Sequence, residues 1–331
     1  MYDALIVVSF GGPEGPDDIE PFLDRVLRGR PVPERRRRDV VEHYRKVGGV
    51  SPLNEANRRL VAAVRDLLRR EGPDLPVYWG NRNWHPLLPE TLRRMRDDGI
   101  GRALAFVTSA FSSWSGCRQY LEDIEGARAQ VSGAPVVDKL RVFFDHPGFI
   151  EPWAHRVRMA MAGLPADQRQ DAIVLYTAHS LPLSMARGCD YEAQLRAAAR
   201  LVAQRAGVSD YTLAYQSRSG RPDTPWLGPD VLEQLEALAR AGVRDVVVVP
   251  IGFVADHMEV CYDLDVEAAE RAAALGIDYT RVETVGTAAG FVAMVRELML
   301  ERLDPGRERR ALSALGIRPD CCPADCCPRG A

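Results

Sequence analysis

The sequence lacks the features of a secreted, membrane-spanning or nucleic-acid-binding protein. No apolar run approaches the roughly 20 residues that cross a bilayer. No basic segment and no small-residue cleavage site precede the first apolar run at Ala4–Val8, so we expect no signal peptide. The 43 Lys and Arg against 46 Asp and Glu leave a net charge of −3, which predicts no general affinity for nucleic acid. Together these absences predict a cytoplasmic protein without stable membrane insertion.

Familiar cofactor signatures are also missing. Neither the GxGxxG fingerprint of dinucleotide-binding folds nor the GK[ST] of a phosphate loop occurs. The first apolar run ends instead in Ser9-Phe10-Gly11-Gly12-Pro13. Glycines at such a turn let the backbone approach a flat or bulky ligand. The pattern therefore favours a site for a large ligand over a nucleotide site.

The 331 residues, of which 46% are hydrophobic, suit two domains of about 100–200 residues each. Strand-like runs are predicted at Ala4–Val8, Val77–Gly80, Ala103–Thr108, Val136–Phe144, Ala172–Tyr176, Tyr211–Tyr215, Asp245–Ile251 and Ile277–Thr284. Helical patterns are predicted at Asp17–Leu27, Glu34–Lys46, Glu55–Arg70, Leu88–Asp97, Gln119–Gln130, Gly148–Met161, Tyr191–Ala206, Pro229–Ala241, Glu259–Ala274 and Ala289–Arg302. This alternation predicts an α/β fold of two doubly wound domains with four-stranded parallel sheets. We expect domains at residues 1–145 and 146–303, an extension at 304–331, and the site in the cleft between the domains.

Two predicted strand ends carry polar side chains that could bind a metal, in the segments Thr177–Pro182 and Gly252–Val260. In open parallel sheets, ligands bind outside the carboxyl ends of the strands. His179 and Glu259 are therefore expected to belong to one site. A neutral imidazole can bind a divalent metal or accept a proton near neutral pH.

Glu259 opens a predicted helix in which Asp263 and Glu267 follow at i+4 and i+8, so three carboxylates share one face. Such neighbours repel one another, and a solvated acidic face is the ordinary explanation. With His179 close by, the row also indicates a path for a divalent cation or for protons. Since no closed cage of Cys and His accompanies it, we expect a metal that is handled transiently.

The seven cysteines are unevenly placed. Three stand alone and four crowd into the tail, namely Cys117, Cys189 and Cys261, and Cys321, Cys322, Cys326 and Cys327. In a reducing cytosol, clustered thiols indicate metal or redox chemistry. A zinc knot is one alternative, although its usual CxxC pairs are missing. The tail has no core of its own and is expected to be disordered without a bound ion, whereas Cys189 and Cys261 are predicted to be ordinary buried thiols.

Six segments together resemble the ferrochelatase family, in order and over residues 2 to about 303. They are Ser9–Pro13, Gly48–Leu53, Ser112–Tyr120, Thr177–Pro182, Tyr215–Gly220 and Gly252–Glu259. The sequence is most similar to actinobacterial-type coproporphyrin III ferrochelatases with a C-terminal cysteine tail. This resemblance implies two Rossmann-like domains, a monomer, and insertion of Fe²⁺ into a porphyrin for heme biosynthesis.

The resemblance also implies roles for individual residues. His179 and Glu259 match the catalytic, iron-binding pair, and Asp263 and Glu267 match an acidic path away from it. Ser51 and Tyr120 match positions that contact the porphyrin, while Phe10 and Trp114 are expected to form walls of the cleft. Because Phe10 stands where other members offer a tyrosine, an axial phenolate from that loop is excluded.

Members with such tails hold a [2Fe–2S] cluster, which implies Cys117 as one ligand and three of the four tail cysteines as the others. The arginine-rich segment between Arg25 and Arg45 is either a solvated face or a partner for porphyrin propionates. Its charge favours coproporphyrin III, with four carboxylates, over protoporphyrin IX. A protoporphyrin IX ferrochelatase, a cobalt chelatase and a non-catalytic tetrapyrrole carrier are the alternatives. A cobalt chelatase tends to use more histidines, and only six occur here.

Overall fold

A computed structural model describes residues 2–29, 32–219, 223–323 and 325–330. Eight strands are present in these ranges: β1 (Ala4–Ser9), β2 (Val77–Asn81), β3 (Arg102–Val107), β4 (Val136–Lys139), β5 (Ile173–His179), β6 (Tyr211–Gln216), β7 (Asp245–Val249) and β8 (Asp278–Arg281). The α-helices are α1 (Ile19–Val26), α2 (Glu34–Lys46), α3 (Leu53–Glu71), α4 (Leu88–Asp97), α5 (Gln119–Ala129), α6 (Pro147–Gly163), α7 (Leu183–Ala186), α8 (Tyr191–Ala206), α9 (Val231–Arg240), α10 (Met258–Val260), α11 (Ala269–Leu275) and α12 (Ala289–Leu303).

The strands form two separate four-stranded sheets of the same topology. Their orders are β2-β1-β3-β4 and β6-β5-β7-β8, and every pairing is parallel. The central strands are apolar on both faces because helices cover both: all six residues of β1 and all five of β7 are buried. The predicted α/β fold with two doubly wound sheets is confirmed.

All eight observed strands differ from the predicted ones at one end or both, and β4, β5 and β8 differ by three residues or more at their ends. The eighth strand stops at Arg281, not at Thr284. The fourth strand stops at Lys139, not at Phe144, although residues 140–144 are all buried. Phe143 stacks on Phe106 at 5.2 Å between ring centroids, so packing of a loop, and not sheet pairing, accounts for that apolar run. The fifth strand extends to His179, which pairs in register with Gln216.

Two stretches of π-helix interrupt the predicted helices. One covers Trp114–Arg118 and runs into α5. The other covers Cys261–Ala268 and joins α10 to α11. Each holds residues that the sequence marked for function, and π-helical turns often occur at functional sites.

The two halves of the chain share one hydrophobic core. A single cluster of buried side chains includes Leu5 and Phe106 from the first half and Val174 and Val249 from the second. The last helix, α12, packs against both α3 and α6 and so joins the halves. No helix in the described part of the chain is long and apolar enough to cross a membrane.

Candidate active site

His179 and Glu259 meet at the carboxyl edge of the second sheet. His179 is the last residue of β5, and Glu259 lies in α10, which begins after the loop that follows β7. The His179 Nε2 atom lies 3.6 Å from Glu259 Oε2. Both side chains remain accessible, at 31% and 44% exposed. An accessible imidazole and carboxylate this close can act together on one proton or one metal ion.

The backbone around His179 fixes which ring nitrogen is free. Nδ1 lies 2.5 Å from the carbonyl oxygen of Ser180. Since a carbonyl oxygen only accepts, Nδ1 carries the proton and donates. Tyr191 donates its hydroxyl proton to the His179 carbonyl at 2.9 Å, which holds the residue in place. The other nitrogen, Nε2, therefore faces Glu259 and would be the unprotonated one in a neutral ring.

A second histidine, His257, belongs to the site and was missed in the sequence. Its Nδ1 accepts hydrogen bonds from the backbone N–H groups of Glu259 (3.2 Å) and Val260 (3.4 Å) and so caps α10. Burial lowers the pKa of His257, with the nearby carboxylate of Glu259 acting in the opposite direction. The available signal was its position two residues before Glu259, where an N-cap side chain is needed.

Asp263 lies one turn beyond Glu259 and is half-buried. Its Oδ2 accepts from Ser217 Oγ at 2.5 Å and from Gln216 Nε2 at 3.4 Å. The same Gln216 amide also donates to the Glu259 carbonyl at 3.2 Å. Burial, reinforced by the Glu259 charge, raises the pKa of Asp263 to about 7. This carboxyl can therefore take up and release a proton near neutral pH.

Glu267 follows at the outer end of the row. Burial raises its pKa, against a hydrogen bond from Tyr262 and the charges of Lys46 and Arg36 on α2. These cations belong to the first half of the chain, whereas Glu267 belongs to the second. The row from Glu259 to Glu267 thus runs from the accessible His179 pair towards the positively charged α2.

Helix α2 contacts the second half of the chain at several points. His43 stacks on Tyr262 with 3.8 Å between ring centroids, and Arg36 Nη2 donates to the Arg218 carbonyl at 3.3 Å. Tyr44 lies on the buried face of α2, and its pKa is raised by burial and then by the charge of Glu259. No pattern in the sequence marked Tyr44, which lies between basic residues. Arg30 of the arginine-rich segment lies outside the described residues.

Phe10 and Tyr120 form a stack around Arg82, here called the Phe10–Tyr120 wall. The Arg82 guanidinium carbon lies 4.4 Å from the Tyr120 ring centroid and 5.6 Å from that of Phe10. Asp123, one turn after Tyr120 on α5, forms an ion pair with Arg82. The structure therefore brings Phe10 and Tyr120 together through a buried arginine that the sequence analysis did not select.

Ser51 and Trp114 are both buried, at 3% and 8% exposed. Ser51 packs against Gly12, where a Cβ atom would lie only 2.7 Å from the serine Oγ. The glycine pair after β1 is thus needed for close approach of two chain segments. The Trp114 ring is covered by Arg329 of the tail, at 5.0 Å from guanidinium carbon to ring centroid.

The tail cysteines gather near Cys117. Cys326 Sγ lies 3.6 Å from Cys327 Sγ. Burial raises the pKa of Cys322 to about 11, with contributions from Cys326 and Cys117, while the cation of Lys139 lowers it. The pKa of Cys327 is raised by burial, by Cys326 and by Cys117. Cys322 and Cys327 therefore both lie near Cys326 and Cys117, and Cys189 also contributes to the raised pKa of Cys327.

The structure contradicts two expectations about the cysteines, namely a disordered tail and buried thiols at Cys189 and Cys261. Cys327 is buried, at 4% exposed, so the described part of the tail packs against the body instead of lacking order. Cys321 is exposed, whereas Cys189 and Cys261 are half-buried and not the fully buried thiols expected. No group of three or more His, Cys, Asp or Glu within the described ranges is already arranged around a common metal position.

Solved structures that resemble this chain include SirB and CbiX. The chain is similar to SirB from Bacillus subtilis with Fe³⁺, with a TM-score of 0.58 at 13% identity, covering 92% of this chain and 98% of the other. It is also similar to CbiX, the terminal enzyme of siroheme biosynthesis in denitrifying bacteria, with a TM-score of 0.51 at 16% identity, covering 91% and 100%. At this identity the comparison establishes the fold alone. The fold is that of the two-domain α/β chelatases.

Sequence comparison defines the family within this class. The ferrochelatase family model matches residues 2–303. A ferrochelatase from Rhodopirellula baltica is 52% identical over 98% of this chain and 93% of its own length. A coproporphyrin III ferrochelatase from Frankia alni is 55% identical over 98% of this chain and 86% of its own length. The chain therefore belongs to the ferrochelatase family of metal chelatases, which are lyases.

Proposed function

We propose that this protein inserts Fe²⁺ into coproporphyrin III to give iron coproporphyrin for heme biosynthesis, with His179 and Glu259 as the catalytic pair. The observation that carries the proposal is the accessible Nε2–Oε2 pair at 3.6 Å in a chain of this family. Insertion removes two pyrrole protons as the metal enters. The reaction therefore requires a base for the pyrrole protons and a ligand for the incoming cation at one place.

The neutral imidazole of His179 supplies the base. Its Nδ1–H bond to Ser180 leaves Nε2 as the acceptor for a pyrrole proton. Glu259, adjacent to it, stabilises the imidazolium that results or binds the incoming cation. With two side chains and open positions around them, the site can take Fe²⁺ and then give it up to the four ring nitrogens.

Protons released from the ring leave along the acidic row. Asp263, with a pKa of about 7, lies one turn beyond Glu259 and can take up and release a proton at neutral pH. Glu267 is then the outer member, beside the cations of α2. Both are proposed as proton or metal path residues and not as members of the catalytic pair.

The porphyrin is proposed to lie between the Phe10–Tyr120 wall and α2. Ser51, Tyr120, Phe10 and Trp114 are the proposed binding residues. Arg35, Arg36 and Arg38 on α2 are exposed, whereas Arg37 is paired with Glu20 and Asp24. Exposed guanidinium groups suit a substrate with four carboxylates better than one with two. Relatives such as the Frankia alni protein carry coproporphyrin III in their names.

We further propose that a [2Fe–2S] cluster is held by Cys117, Cys322, Cys326 and Cys327. Thiolates are the ligands that such clusters require, and the pKa values of Cys322 and Cys327 are raised by burial and by the neighbouring thiols Cys326 and Cys117. Exposed Cys321 would be the cysteine that stands aside. When bound, the cluster would supply a covalent link from the tail to the π-helical turn that carries Cys117. A cytoplasmic monomer without nucleic-acid partners completes the proposal.

The test is anaerobic insertion by the purified full-length protein, with coproporphyrin III and protoporphyrin IX measured side by side. We expect kcat/KM with Fe²⁺ to be at least about tenfold higher for coproporphyrin III. Replacing both Arg35 and Arg36 with glutamine should lower the ratio of kcat/KM for coproporphyrin III to that for protoporphyrin IX. Arg69→Gln, which removes an exposed ion pair with Asp66, should leave this ratio unchanged. Equal rates for both porphyrins would contradict the substrate assignment. Faster insertion of Co²⁺ into a corrin precursor would favour a cobalt chelatase, and tight product retention without turnover would favour a carrier.

A further inference from the structure

The last described residues of the tail lie between the two halves of the chain. Arg329 covers the ring of Trp114 in the first half. Pro328 packs on Gly188 in the second half so closely that a Cβ atom on Gly188 would lie 2.6 Å from Pro328 Cγ. Gly330, with φ of +82°, is similarly close to α7, since a Cβ atom there would lie 3.0 Å from the Met185 backbone nitrogen. The segment Pro328–Gly330, here called the wedge, thus contacts both halves.

The first element that the wedge contacts also carries part of the Phe10–Tyr120 wall. Trp114 begins the π-helical turn that continues directly into α5. Tyr120 and Asp123 lie on the same continuous helix and hold Arg82 against Phe10. A shift at the start of this helix therefore moves the Phe10–Tyr120 wall.

The second element follows the catalytic histidine. Only Ser180, Leu181 and Pro182 separate His179 from α7. The two elements also contact each other directly, for example through Ser115 Oγ and Met185 Sδ at 4.0 Å. The wedge adds contacts to both the helix that carries Trp114 and the segment after His179.

The extension is anchored upstream of the wedge by charge. Asp320, with a side chain only 7% exposed, pairs with Arg309 at 2.6 Å and with Arg302 at 3.3 Å. Arg318 pairs with Asp190 at 2.6 Å. Cys326 and Cys327 lie between these anchors and Pro328, so the packing of the thiols sets where the wedge sits.

We propose that the wedge positions the cleft, with Arg329 as the positioning residue for Trp114, so that seating of the tail sets the affinity for the porphyrin. This inference rests on the proposed function of the cleft. The wedge does not contact the reacting atoms. Its removal should therefore change porphyrin binding and leave the chemical step intact.

The test uses the full-length protein in the state in which it is purified, with Arg329→Ala as the first variant. Loss of one cation–π contact at an exposed site should raise the Kd for coproporphyrin III about threefold. kcat should stay within about twofold, and iron and sulfide content should not change. Arg329→Lys keeps a cation over the ring and should restore the wild-type Kd.

Gly188→Ala should also displace the wedge, because the added methyl group cannot coexist with Pro328 in its present position. It should weaken porphyrin binding and speed amide hydrogen exchange in residues 114–120 and 183–190. Arg307→Ala, at an exposed position of the same extension, is the matched control and should change neither quantity. If neither wedge variant changes the Kd for coproporphyrin III or the amide hydrogen exchange, the inference is overturned. The proposed iron insertion would not be affected by that result. Loss of iron and sulfide in Arg329→Ala would also overturn the inference, because the effect would then come from the thiol site. Absence of insertion by the wild-type protein would instead refute the proposed function.

Discussion

Replacing Asp263 with asparagine should stabilise the protein, and more so at higher pH. The Asp263 carboxyl has a pKa of about 7 in the folded protein against 3.8 for the free side chain, because it is buried beside Glu259. A group whose pKa is raised on folding stabilises the fold below its unfolded pKa, and this contribution is lost as the pH rises through the folded value. Complete loss corresponds to about 4 kcal/mol, of which about 2 kcal/mol falls between pH 5.5 and pH 8.

Asparagine carries no charge at either pH, and its side-chain oxygen can still accept from Ser217. The Asp263→Asn protein should therefore gain about 2 kcal/mol over wild type on going from pH 5.5 to pH 8. Urea unfolding of the metal-free and porphyrin-free protein at the two pH values measures this difference. Asp265→Asn is the control, because Asp265 is partly exposed and paired with Arg281 at 2.5 Å. That variant should lose stability without the same pH dependence. An equal stability difference for Asp263→Asn at both pH values would refute the raised pKa.

Further predictions concern the carboxylate row and the thiols. Glu259→Gln should lower kcat for Fe²⁺ insertion by about 100-fold or more, whereas Glu267→Gln, two turns further out, should cost about tenfold or less; equal losses would indicate an effect on helix stability. Cys117→Ser should yield protein with less iron and sulfide and a lower Tm, since a group bound only by the folded state stabilises it. Cys321→Ser should keep both at wild-type values. Stoichiometric zinc without sulfide in the wild type would contradict the cluster.

Much of the fold followed from hydrophobic periodicity and turn residues. The bounds predicted for α2, α4 and α8 agree with the structure. Each of these helices has an amphipathic pattern and ends where that pattern ends. The four-residue helix α7 was not predicted, since it is too short to show periodicity. The buried loop at residues 140–144 was taken for a strand because an apolar run alone does not distinguish sheet pairing from loop packing.

The site was only partly visible in the sequence. His179 and Glu259 could be selected because they end or follow strands that lie side by side in a parallel sheet. The π-helical turns could not be predicted, since stretches of five and eight residues are too short to show a period of their own. Arg82 and Tyr44 were missed for a different reason. Their importance comes from burial against residues distant in sequence, namely Tyr120 and Glu259.

The arrangement of the tail could not be predicted from the sequence. The sequence indicated four crowded thiols but not which one stands apart, because no spacing distinguishes the two Cys-Cys pairs. The structure leaves Cys321 exposed and buries Cys327. It also reveals the wedge contacts of Arg329 and Pro328, which depend on long-range packing.

The central claim is that His179 accepts the ring proton and, with Glu259, admits iron. Its most direct test is a single-turnover experiment in which coproporphyrin III is bound to the protein and Fe²⁺ is added anaerobically. For His179→Ala we predict a Kd for the porphyrin within about tenfold of wild type and insertion reduced to well below a tenth of the wild-type rate. An insertion rate for His179→Ala above a tenth of the wild-type rate would contradict this role of the His179–Glu259 pair.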